Sequence, residues 1–174
     1  MRLYHTGDRE IREPALHYGR KNADFGQGFY LTPDREFTLR WAGKNAVVNI
    51  YELDGSGLKC HTFQRDAAWM DYIFRNRRLQ DSLEADVVIG PIANDTIFDT
   101  MGIISSGFLR PEEALRLLLI GPAYTQVALK TERALRRLTW IGAERTGGLD
   151  HAARQREQQA YQEDFARAMA ALDT

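Results

Sequence analysis

One cysteine, Cys60, stands in 174 residues, so no internal disulfide can form. No Cys and His pattern around it suits a metal, and a reducing cytoplasm is the expected compartment. No apolar run approaches the roughly 18 residues of a membrane helix. The N-terminal MRLYHTGDRE has no apolar signal region, so a soluble, unprocessed, cytoplasmic chain without membrane contact is expected. Neither sign of charge dominates: 23 basic against 24 acidic residues give a net charge of -1. That balance excludes a global pull toward nucleic acid and leaves room only for local basic clusters. Internal repeats and low-complexity segments are also missing. What remains fits one globular domain, 44% hydrophobic and 27% charged, long enough to bury its own core.

Along the chain, LYHT and GFYLT read as short strands. Thr32 as N-cap, Pro33 at the first helical position and the acids Asp34 and Glu36 start a helix. It runs through DREFTLRWAGK to Gly43 and puts Phe37 and Trp41 on one face. AVVNIYELD is a strand stopped by GSG, and DAAWMDYIFRNRR a helix with Trp69, Ile73 and Arg77 on one stripe and Tyr72 beside it. ADVVIGPIAND is a buried strand run into a loop, PEEALRLLL a Pro-started helix and TQVALKT a strand. Short strands mixed with helices favour an α+β fold. Near residue 144 the texture becomes rich in Ala, Gln, Glu and Arg. This divides the chain into a domain, 1–143, and a C-terminal helical extension, 144–174. In the extension Tyr161, Phe165, Met169 and Leu172 form a narrow apolar stripe that docks on the domain or takes a partner.

The stretch DFGQGFYLTPD, residues 24–34, sets two glycines beside two rings. Gly26 and Gly28 permit positive φ or a close approach of backbone to a ligand, and a strand after them sends Phe29 and Tyr30 to opposite faces. A glycine bulge with both rings in hydrophobic contacts fits the same spacing. Arg75, Arg77 and Arg78 in FRNRR read as a solvated helix face or a local guide for a nucleic-acid strand.

Taken in order, LYHTG, then FGQGFYLT followed by Trp41, then YTQVALKT resemble the histidine, tyrosine, acid pattern of ADP-ribosyltransferases of the diphtheria-toxin and poly(ADP-ribose) polymerase type. GRKNADFGQGFYLT, VVIGPIANDTIFD and TQVALKT are similar, more closely, to a bacterial family of uncharacterised domains near those transferases, often encoded beside small proteins regarded as antitoxins. The resemblance spans roughly residues 2 to 140. It implies an α+β domain with a split, mixed or antiparallel sheet core. It also implies NAD-dependent transfer of ADP-ribose to a protein or nucleic-acid acceptor, by an intracellular toxin restrained by an antitoxin partner. NAD is then the substrate, and no metal is needed.

By the same resemblance His5 hydrogen-bonds a ribose hydroxyl, and the backbone beside Thr6 pairs with the nicotinamide amide. Many relatives carry glycine directly after the histidine, whereas here Thr6 intervenes before Gly7. Tyr30 stacks on nicotinamide with Trp41 on the other face, Gly28 lets the backbone pass close, and Arg20 and Lys21 contact the pyrophosphate. Breaking the bond between nicotinamide and ribose builds positive charge on the sugar, which an anion or an oriented dipole must face. Gln126 stands where many of these transferases carry glutamate. Its amide can hold the ribose but offers neither full charge nor a base. The acid is then sought in Asp95, with Asn94 as an orienting amide after a buried strand, although an Asx-turn or N-cap fits that pair equally. Asp24 is a weaker candidate. The alternatives are a module that binds NAD or ADP-ribose without turnover, an NAD glycohydrolase, and a purely structural interaction protein.

Overall fold

A computed structural model describes residues 1–19, 21–81, 83–93, 109–121, 123–148 and 151–172. Among them, β1 (Arg2–Gly7), β3 (Ala46–Leu53) and β7 (Leu138–Thr146) form an antiparallel sheet with β3 in the middle. β2 (Phe29–Leu31), β6 (Thr125–Leu129), β5 (Val87–Pro91) and β4 (Cys60–Thr62) follow one another in a second, mixed sheet, where only β4 and β5 run parallel. The described helices are α1 (Arg35–Trp41), α2 (Ala67–Arg77), α3 (Pro111–Leu118), α4 (Glu132–Leu135) and α5 (His151–Ala170). The class is α+β, as the mixture of short elements led one to expect.

The alternation of side chains along the second sheet builds two cores. Val87, Val127 and Leu129 point into a cluster with Leu3, Phe29 and Tyr51, between the sheets. Val88 and Ala128 point the other way, onto Phe25, Trp69 and Ile73. Helix α2 therefore lies on the outer face of this sheet, and it starts where the Asp66 carboxylate accepts from the Trp69 N–H at 2.9 Å. Each fully buried large side chain contributes about 1.5–3 kcal/mol.

Three features depart from the sequence reading. Helix α1 begins at Arg35 and ends at Trp41, because Thr32 still belongs to the strand system and its hydroxyl donates to the Thr125 carbonyl at 2.7 Å. The Asp34 carboxylate accepts from the Thr125 N–H at 2.8 Å and does not cap its own helix. Strands β4 and β7 go beyond the elements read from the sequence, and β7 stays paired to Thr146, past the change of texture. Helix α5 lies against α3. Its Glu157 pairs with Arg40 of α1 at 2.7 Å, while the Arg40 guanidinium sits 4.6 Å over the Tyr124 ring. Tyr161, Phe165, Met169 and Leu172 are half-buried. Among the described residues no helix is long and apolar enough to cross a membrane.

Candidate functional site

Among the described residues the two sheets meet at a single rung. The Tyr4 N–H donates to the Thr32 carbonyl at 2.8 Å, and the Thr32 N–H to the Tyr4 carbonyl at 2.9 Å. In a continued antiparallel ladder Thr6 would face Tyr30. Instead the Tyr30 carbonyl accepts from His5 Nδ1 at 2.7 Å, and the imidazole stacks on Phe29 with ring centroids 4.6 Å apart. His5 thus wedges the strands apart. Backbone groups of alternate residues point to the same strand edge, so the N–H and C=O of Thr6 point as those of Tyr4 do. No described residue pairs with them. The Thr6 hydroxyl is engaged elsewhere, donating to the Thr38 carbonyl of α1 at 3.1 Å.

Where the strands part, a cleft of about 330 Å³ opens, within the range of small-molecule sites. His5 and Thr6 from β1, Tyr30 from β2, Gln126 from β6 and Trp41 from α1 line it. Burial lowers the His5 pKa more than the bond to the Tyr30 carbonyl raises it, so the ring is neutral near pH 7. Because Nδ1 faces a carbonyl it carries the proton, which leaves Nε2 as a hydrogen-bond acceptor. Burial also pushes the Tyr30 phenol far above its ordinary pKa and keeps it a donor. It donates to the Gly26 carbonyl at 2.7 Å and accepts from the Phe25 N–H at 2.9 Å.

The two glycines serve this anchoring. Gly26 has φ +75°, and a Cβ there would come within 2.9 Å of Asn76 Oδ1, Asp81 Oδ2 and Lys130 Nζ. A Cβ on Gly28 would come within 2.8 Å of the Leu129 carbonyl. Both let the loop close onto the sheet and hold the phenol of Tyr30.

Beside Gln126, and lining the same cleft, sits a buried ion pair. Asp24 Oδ1 accepts from Arg77 Nε at 3.1 Å and Nη2 at 2.5 Å, with the two side chains 12% and 7% exposed. Asp24 Oδ2 accepts from the Ala93 N–H at 3.2 Å and from Gln126 Nε2 at 3.0 Å. The second Gln126 amide proton goes to the Pro91 carbonyl at 3.1 Å. Arg77 is therefore neither a solvated face nor a guide for nucleic acid. Arg75, by contrast, pairs with Asp71 on the surface at 2.8 Å, and Arg78 is exposed.

His5, Thr6, Tyr30, Trp41 and Gln126, distant in sequence, come together in the cleft. Gly7, Lys21 and Gly28 do not line it. Arg20, Asn94 and Asp95 lie outside the described residues. The sequence reading missed Arg77 as a site residue. Its one signal was a position on the otherwise apolar stripe of Trp69 and Ile73, facing inward.

Fold and site together define an α+β domain with a cleft of small-molecule size at the join of two sheets. Residues 1–140 match the family described as "Protein of unknown function (DUF3990)", and the chain belongs to it. No curated protein and no solved structure matches the chain.

Proposed function

We propose that the chain binds NAD in this cleft and transfers its ADP-ribose to a macromolecular acceptor. The observation that carries the reading is the convergence of His5, Tyr30 and Gln126 where the sheets part. They are the three positions on which the resemblance to ADP-ribosyltransferases with a split sheet rests. Each has the group its role needs. His5 Nε2 accepts from a ribose hydroxyl. The N–H and C=O of Thr6 form a donor and acceptor pair for the nicotinamide carboxamide, and here the threonine in place of glycine is harmless because its hydroxyl is turned to Thr38. Tyr30 and the half-exposed Trp41 offer rings for the cationic pyridinium. Cleavage breaks the bond between ribose C1′ and the nicotinamide nitrogen. The electron pair leaves with neutral nicotinamide, and the acceptor nucleophile captures C1′ and loses its proton. The biological setting that the resemblance implies is a cytoplasmic toxin held by an antitoxin partner.

A second reading, a module that holds NAD or ADP-ribose without turnover, is favoured by one observation: residue 126 is an uncharged amide. The experiment that separates them uses NAD labelled in its adenylate half, cell lysate, and the protein or its Gln126→Ala variant. Label moved to a species sensitive to protease or to nuclease, and lost in the variant, supports transfer and names the acceptor class. Nicotinamide release without transfer marks a glycohydrolase. Binding without release marks the module.

A further inference from the structure

We propose that Asp24 is a positioning residue that fixes the Gln126 amide so that its oxygen, and not its nitrogen, is presented to the cleft. Both Gln126 amide protons are spent on acceptors, Asp24 Oδ2 at 3.0 Å and the Pro91 carbonyl at 3.1 Å. No described residue donates to Gln126 Oε1. Turning the amide over would set Oε1 against a carboxylate and a carbonyl with no proton between them, and burial makes such a mismatch costly. A glutamine at an exposed site presents either end. This one, 7% exposed, presents a single end.

Asp24 is in turn held on both oxygens, by Arg77 from α2 and by the Ala93 N–H beyond β5. A buried ion pair of this kind is a poor source of stability, since desolvation offsets the attraction. It is a good source of orientation. Arg77 cancels most of the net charge, so Asp24 acts through the amide it aims: a carboxylate on the N–H side polarises the amide and makes Oε1 a stronger acceptor. The oriented dipole then stands toward the ribose where glutamate would bring a charge. The same geometry excludes glutamate at 126 while Asp24 is ionised, because the new carboxylate would face Asp24 Oδ2 and the Pro91 carbonyl.

The kinetic half of this inference rests on the transferase reading, and the structural half does not. The test follows the Gln126 side-chain amide by NMR of the ¹⁵N-labelled full chain, identified by its disappearance in Gln126→Ala. In the wild type both protons are expected to exchange slowly with solvent. Asp24→Asn should speed that exchange about tenfold or more. With NAD, Asp24→Asn should lower kcat for nicotinamide release about a hundredfold and shift KM less than about threefold. Gln126→Glu alone should lose activity, and Asp24→Asn combined with Gln126→Glu should recover about tenfold or more of it. An unprotected Gln126 amide in the wild type, or one indifferent to Asp24→Asn, overturns the inference whatever the activity. So does a double variant no better than the singles in a chain that cleaves NAD. A wild type that leaves NAD intact while its amide depends on Asp24 refutes the reaction and supports the positioning.

Discussion

The imidazole of His5 takes the carbonyl of Tyr30, at 2.7 Å, that a continued ladder would have given to the N–H of Thr6. One side chain thereby splits the sheets and frees a strand edge beside the cleft that it lines.

Stability should respond to pH through this ring. Burial lowers the folded-state pKa below the 6.5 of an ordinary histidine. Between those two values the unfolded chain binds the proton and the folded one does not, so stability falls as pH drops below about 6.5 and levels off beneath the folded pKa. Above 6.5 both states are neutral and the ring contributes no slope. Denaturant melts from pH 8 to 5 should show this loss in the wild type and a smaller one in His5→Gln. Equal slopes would place the His5 pKa at its ordinary value.

Gly26→Ala should cost about 2 kcal/mol or more, because it forces a side chain to φ +75° against Asn76, Asp81 and Lys130. The loop carries Asp24 and anchors the Tyr30 phenol, so NAD binding should weaken with it. A urea melt unchanged from the wild type would mean that the loop has another conformation.

Tyr30 has two roles that different substitutions separate. Tyr30→Phe strips the partner from the Gly26 carbonyl and the Phe25 N–H, which should cost about 1–3 kcal/mol while keeping the ring for NAD. Tyr30→Ala should lose stability by about 3 kcal/mol or more, since the ring packs on the core beneath α2, and should lose NAD binding as well. Calorimetric titration beside denaturant melts distinguishes the two. Stability loss in Tyr30→Ala with intact NAD binding would make the ring core alone.

How much of this was legible in the sequence depends on the distance over which each feature is fixed. The opposite facing of Phe29 and Tyr30 follows from the period of a strand, and the inward stripe of Trp69 and Ile73 from the period of a helix; both are local. The start of α1 was misplaced because Thr32 is claimed by Tyr4 and Thr125, partners remote in the chain. β7 turns Trp140 inward and leaves Ile141 half-exposed, so apolar residues on both faces blur its alternation. His5, Tyr30 and Gln126, which share the cleft, are singled out in the sequence by resemblance, but the pairing of Gln126 with Asp24, 102 residues away, depends on sheet register. Arg77 was hidden for the same reason, 53 residues from its partner.

The central claim is tested most directly by chromatographic measurement of nicotinamide released from NAD, by the wild type and by His5→Ala and Gln126→Ala variants whose folding is checked by circular dichroism. The account predicts release by the wild type and its loss in both folded variants. Intact NAD with the wild type in the presence of cell lysate, or release that survives both substitutions, would contradict it.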